Sequence, residues 1–197
     1  MADSFSSFER LYVGPFRIAF ARVTGPLVKL LVLLKVSPNV VSTSQIAIGV
    51  IIVVILAEHP RTAFLLFLST LVLDGIDGAL ARAYGRTSDF GALVDQLSDH
   101  VRETLMIAGF AFHGALNPIA AVLYPLVYAL CNFLLYVCNH KGAPIPWALK
   151  SYMVVYPAFF FYAFLGRDFM TPAVVLSITL MTITILLGMR NLRRVLD

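Results

Sequence analysis

Six long apolar runs decide what this chain can fold into. They lie at about Val40–Ala57, Thr62–Leu80, Phe90–Phe112, Pro118–Cys138, Trp147–Leu165 and Pro172–Met189. A helix needs about 20 apolar residues to cross roughly 30 Å of hydrocarbon. Lipid offers no partner for backbone N–H and C=O groups, so only helices and closed barrels span it. These runs are too long and too continuous for barrel strands. The predicted fold is therefore an all-α membrane protein of six transmembrane helices. The composition agrees: 59% of the residues are hydrophobic and 13% charged, where a soluble domain has about 25% charged. Residues 37–197 form the predicted six-helix domain, and residues 1–36 a juxtamembrane segment ahead of it.

That first segment does not read as a secretory signal, which would keep its charge ahead of one apolar block. Arg10, Arg17, Arg22, Lys29 and Lys35 are instead spread among Phe, Leu and Val. Pro15 and Pro26 each open a new helical turn or break a helix. One or two loosely amphipathic interfacial helices on an anionic membrane surface are predicted. A seventh span at Val23–Val36 is the alternative, but it is short and Lys29 interrupts it.

Charge gives the expected orientation. On the six-span layout, 12 of the 15 Lys and Arg residues fall on one side. They are the five above, Arg82, Arg86, Lys141, Lys150, Arg190, Arg193 and Arg194. Only Arg61 and Arg167 fall on the other side, and Arg102 lies within the third span. The positive-inside rule then places both termini and the Asp74–Asp99 region in the cytoplasm. The net charge of +4 suits anionic lipid, and no nucleic-acid partner is expected. Cys131 and Cys138 lie about 10 Å apart along one predicted helix, too far for a disulfide.

Against this apolar background, Asp74–His100 reads DGIDGALARAYGRTSDFGALVDQLSDH, with five aspartates and two arginines in 27 residues. Asp74 and Asp77, at i and i+3, share a face at the end of the second span. Asp95 and Asp99, at i and i+4, share a face in the third. A short turn at Tyr84–Ser88 makes the two spans antiparallel neighbours, so the acidic faces can meet. Four carboxylates at low dielectric either protonate or bind a cation. Oxygen donors without Cys or His suit a hard divalent ion, Mg²⁺, Mn²⁺ or Ca²⁺. Solvated helix ends would account for Asp74 and Asp77, but not for Asp95 and Asp99 within an apolar run. Gly78, Ala81 and Gly91 permit close approach, and Arg82 offers a fork that matches phosphate. Cation, arginine and small-residue walls together point to a pyrophosphate ligand.

The pattern Asp74-x2-Asp77-Gly78-x2-Ala81-Arg82-x8-Gly91-x3-Asp95-x3-Asp99 resembles the full signature of the CDP-alcohol phosphotransferase (CDP-alcohol phosphatidyltransferase) family. The six-span layout and the Pro38-Asn39 pair are similar to that family too. The resemblance implies a homodimeric membrane transferase of phospholipid biosynthesis. Such enzymes move a substituted phosphate from a CDP-linked alcohol to a polar alcohol acceptor and release CMP. It implies that Asp74, Asp77, Asp95 and Asp99 hold one or two Mg²⁺ or Mn²⁺ ions and that Asp99 is the general base. Gly78, Ala81, Arg82, Gly91, Pro38 and Asn39 are implied to line the nucleotide and phosphate site.

The acceptor stays open. Arg102 and Glu103, one turn beyond Asp99, either pair with buried groups or line its pocket. Lys141, Lys150 and Arg190 are either ordinary positive-inside charge or contacts for a phosphorylated acceptor. Members of the family that use inositol phosphate have a Tyr-x-Lys-x-Arg-like run ending the fourth span. Here Tyr136 fits, and the basic residues are displaced to His140 and Lys141. His59 and His113 are expected to be surface residues on the outer side. Trp147 is expected to anchor at the interface. A CDP-lipid donor is favoured because the site lies at membrane depth. Two water-soluble substrates, CDP-inositol and inositol phosphate, are the alternative. A divalent-cation transporter would keep its site near the midplane between inverted repeats, whereas these acids gather at one rim.

Overall fold

The computed structural model describes residues 7–85, 87–143, 145 and 153–196, with side chains from residue 20 onward. Among the described residues there are seven helices and no strand. They are α1 (Ser7–Leu33), α2 (Pro38–Ile55), α3 (Pro60–Ala83), α4 (Asp89–Phe112), α5 (Pro118–His140), α6 (Val155–Leu165) and α7 (Met170–Leu196). Their starts follow local chemistry. α2, α3 and α5 each open on proline, whose missing N–H is unpaired in a first turn anyway. Asn117 Oδ1 accepts from the amides of Ile119 and Ala120. Ser88 Oγ accepts from Gly91 N at 3.0 Å. Each cap satisfies a donor that helix geometry leaves open. α6 stops at Gly166, whose φ of 60° is left-handed, a conformation that glycine adopts without steric cost.

Four helices are long and apolar enough to cross a membrane: α2, α3, α5 and α7. α4 occupies the third expected span, but it carries Asp89, Asp95, Asp99, Arg102 and Glu103. α6 is 11 residues long. The expected fifth span began at Trp147, which lies outside the described residues with Lys150 and Tyr152; Arg86 lies outside them too. α7 runs past Met189, so Arg190, Arg193 and Arg194 are helical rather than beyond the helix. α1 is one helix of 27 residues. Pro15 and Pro26 sit inside it and do not divide it.

The chain divides into two compact units. In Phe16–His113, α2 packs between α3 and α4. The α2–α4 contact is close because Gly109 stands against backbone; a Cβ there would lie 3.3 Å from Val53 Cα. α1 joins this unit through Val28, packed with Val41, Ile76 and Leu80. The Tyr84 hydroxyl donates to the Val36 carbonyl at 3.1 Å and ties the end of α3 to the chain after α1. His113 is not a simple surface residue. Its Nε2 lies 2.8 Å from the Val53 carbonyl, so it fastens the end of α4 to α2.

The other unit comprises residues 1–15 and Gly114–Asp197. α5 and α7 pack closely at Gly188, where a Cβ would lie 2.7 Å from both Ile145 and Leu134 side chains. Cys131 and Cys138 are free thiols here, and the Cys138 thiol faces the Gly188 carbonyl at 3.6 Å.

Candidate metal and phosphate site

The last turns of α3 and the first turns of α4 bring the acidic residues together within the Phe16–His113 unit. The i, i+3 and i, i+4 spacings put each pair on one helix face. The turn at Tyr84 and Gly85 reverses the chain between them. One carboxylate oxygen from each of Asp74, Asp95 and Asp99 lies within 4.8 Å of the others. Asp77 stands one turn from Asp74 on the same face of α3. It is 3% exposed, and its Oδ2 accepts from the Ser42 hydroxyl at 2.5 Å. Three acids therefore form the tight group, and a serine on α2 holds the fourth.

Anions this close need positive charge between them, because each repels the others and each is costly to dehydrate. Arg102 supplies some of it to Asp99: Oδ1 and Nη1 lie 2.9 Å apart. Asp95 Oδ1 is fully buried and has no hydrogen-bond partner. Buried polar atoms are nearly always satisfied, so a carboxylate oxygen of this kind inside an acid cluster suits a cation ligand. Oxygen-only donors without Cys or His fit a hard divalent cation. The residues present therefore fit the metal that the sequence pattern implies.

The small residues near the acids differ in their surroundings. A Cβ at Gly78 would meet only Arg82 Nη1, at 3.4 Å. Arg82 is exposed, so its guanidinium borders open space on that side. A Cβ at Gly91 would lie 3.2 Å from Ser88 Oγ and 3.8 Å from Asn39 Oδ1. Asn39 and Pro38, at the start of α2, are thus neighbours of the start of α4. Ala81 is half-buried on α3.

The remaining candidates separate. Arg102 is 3% exposed and Glu103 1% exposed. Arg102 Nη1 also donates to Gln45 Oε1 on α2, so its polar end is engaged inside the unit. Lys141 and Arg190 are exposed residues of the other unit, and Lys150 lies outside the described residues. Sequence reasoning missed Ser42 and Gln45. Their signal was present: Pro38, Ser42, Gln45 and Gly49 recur at helical spacing as one stripe on α2.

Comparison with known proteins agrees with the geometry. The family model described as CDP-alcohol phosphatidyltransferase matches residues 35–189. A phosphatidylinositol phosphate synthase of Streptomyces avermitilis is 35% identical over 104 residues, which are 48% of this chain and 40% of that protein. A bifunctional IPC transferase and DIPP synthase of Thermococcus kodakarensis is 34% identical over 85 residues, 43% of this chain and 20% of that one. The match thus takes in less than half the length of these curated relatives. Among solved structures, the Mycobacterium tuberculosis phosphatidylinositol phosphate synthase without ligand has the same fold. Its TM-score is 0.69 at 17% identity, over 84% of this chain and 94% of that one. The same synthase has been solved with CDP-DAG bound, with a TM-score of 0.67, and with manganese and citrate, with a TM-score of 0.65. With four helices of membrane-crossing length and this family match, the chain is an integral membrane protein that belongs to the CDP-alcohol phosphatidyltransferase family.

Proposed function

We propose that the protein transfers a substituted phosphate from a CDP-linked lipid alcohol to the hydroxyl of a polar alcohol and releases CMP. The observation that carries this reading is the group of Asp74, Asp95 and Asp99 oxygens within 4.8 Å, set in the eight-position signature. A Mg²⁺ or Mn²⁺ ion held by Asp74, Asp77, Asp95 and Asp99, when bound, supplies charge for the donor's diphosphate and eases departure of CMP. Gly78, Ala81 and Gly91 leave the diphosphate room to approach the backbone. Arg82 pairs with its oxygens, and Pro38 and Asn39 border the nucleotide. Asp99 takes the proton from the acceptor hydroxyl. The freed oxygen then forms a bond to the phosphorus remote from cytidine. The P–O bond to CMP breaks, and its electron pair leaves with CMP. Positioning and electrostatics do most of the work.

Several finer assignments belong to the same proposal: six membrane crossings with α4 and α6 among them, α1 along the interface, both termini and the acids on the cytoplasmic side, and a homodimer. A lipid donor is supported by the apolar helices that carry the acids and by the CDP-DAG-bound relative. Lys141 and Arg190 are the proposed contacts of a phosphorylated acceptor. Arg102 and Glu103 are assigned to buried pairing rather than to that acceptor, because Arg102 already engages Asp99 and Gln45. The Thermococcus relative favours a second reading, the same chemistry on CDP-inositol and inositol phosphate.

The test is purified protein with Mn²⁺, CDP-diacylglycerol and a panel of polyol and polyol-phosphate acceptors, with products identified by mass spectrometry. Acceptor-dependent CMP release with a new phosphodiester is expected. CMP release without an acceptor would mean hydrolysis, and cation flux into liposomes without turnover would mean transport.

A further inference from the structure

We infer that Gln45 and Arg102 are positioning residues that set the orientation of Asp99 from beneath the site; this rests on the proposed function. Arg102 and Gln45 are 3% and 0% exposed. Two charged or polar side chains so deep in an apolar unit cost free energy unless their groups are paired. Here one nitrogen does both jobs. Arg102 Nη1 lies 2.9 Å from Asp99 Oδ1 and donates to Gln45 Oε1. The guanidinium is therefore fixed from two directions: by Asp99 on its own helix, and by Gln45 on α2. With Nη1 engaged from both sides, the guanidinium is restrained, and it restrains the carboxylate in turn.

The consequence for Asp99 is geometric. Its Oδ1 is fully buried, without an aligned hydrogen bond, and lies 2.9 Å from Arg102 Nη1, so charge pairing with Arg102 is what holds this side of the carboxylate. Of the four acids, Asp99 is the one joined to Arg102 across 2.9 Å. Arg102 also offsets one negative charge close to the cation position and so holds cation affinity down. Gln45 touches neither donor nor acceptor in this account. It acts only through Arg102. The eight-position signature includes neither residue.

The test separates orientation from mere stability. Wild type, Gln45→Leu, Gln45→Glu, Arg102→Gln and Arg102→Lys are purified in detergent. Mn²⁺ affinity is measured by electron paramagnetic resonance, and kcat and KM for CDP-diacylglycerol are measured separately. Arg102→Gln should bind Mn²⁺ roughly tenfold tighter, because a positive charge a few ångströms from a divalent ion is gone, and its kcat should fall about tenfold or more. Gln45→Leu should lower kcat about tenfold, with donor KM and Mn²⁺ affinity within about threefold of wild type. Gln45→Glu keeps an acceptor oxygen for Arg102 and should recover most of kcat. Arg102→Lys keeps the charge but not the fork, so Mn²⁺ affinity should hold while kcat falls.

A merely structural role predicts the opposite split: weaker Mn²⁺ binding and lost turnover in step with the folded fraction. That result, or a Gln45→Leu variant turning over within twofold of wild type, overturns the inference. If Arg102→Gln does not fold, the Gln45→Leu and Gln45→Glu pair decides alone. If wild type turns over no CDP-linked donor, the proposed reaction fails, and the Mn²⁺ titration of Arg102→Gln still reports whether Arg102 bears on Asp99.

Discussion

The two units of this chain are built from similar apolar helices but place polarity differently. Among the described residues, Phe16–His113 buries Thr24, Ser42, Gln45, Thr70, Asp77, Ser98, Arg102 and Glu103. The other unit buries Ser177 and Thr184. Thr184 bonds back to the Leu180 carbonyl of its own helix. Its ionisable Lys141, Arg190, Arg193 and Arg194 are exposed. Buried polarity is costly unless it is matched, so the first unit carries a burden that the second avoids. The difference teaches that buried polarity gathers in the unit that carries the acids. The second unit offers packing and outward basic charge.

Substitutions can break this contrast. The largest effect is expected from Asp99→Asn or Asp95→Asn: turnover measured by CMP release should fall about a thousandfold or more. For Asp95→Asn, removing one like charge should leave thermal unfolding unchanged or shift it upward. A fall in unfolding temperature would reassign the acids to structure. Next, Mn²⁺ at 100 times its dissociation constant should stabilise the wild type by about 2.7 kcal/mol. Differential scanning fluorimetry with and without chelator reads this, and Asp95→Asn should abolish the gain.

The second unit should answer differently. Gly188→Leu puts side-chain atoms where Leu134 and Ile145 already crowd the backbone. A loss of about 1–3 kcal/mol is expected, with Mn²⁺ affinity unchanged; a lost Mn²⁺ signal would show that the two units are not separable. Lys141→Ala and Arg190→Ala should each raise KM for a phosphorylated acceptor about tenfold, near 1.4 kcal/mol, and leave the donor KM alone. Equal changes in both KM values would remove these residues from the acceptor. The smallest effect is Tyr84→Phe, which removes the hydroxyl shared between the Val36 and Val32 carbonyls and should cost about 1 kcal/mol in chemical unfolding.

Much of the first unit was legible because its information is local. Carboxylates at i, i+3 and i, i+4 must share a helix face. The short turn at Tyr84–Gly85 then forces the two acidic faces together. Long-range partners were not legible in the same way. Ser42 reaches Asp77 across 35 positions and Gln45 reaches Arg102 across 57. Nothing in periodicity says which polar residue of an apolar helix faces which neighbour. His113 was misread for the same reason, since its partner is a backbone carbonyl 60 positions away. The two prolines in α1 misled in another way. Proline disfavours a helix interior, yet surrounding sequence and packing can carry a helix through one.

The α2 stripe of Pro38, Ser42, Gln45 and Gly49 has a practical consequence. Anyone transplanting this chemistry would be tempted to move the α3–α4 hairpin alone, since every acid resides there. Such a graft would arrive without its underside. Asp77 would lose the hydroxyl that holds it, Arg102 would lose the amide that steadies it, and α4 would lose the small-residue groove it lies in. The least portable portion of the catalyst is a helix with no charge of its own.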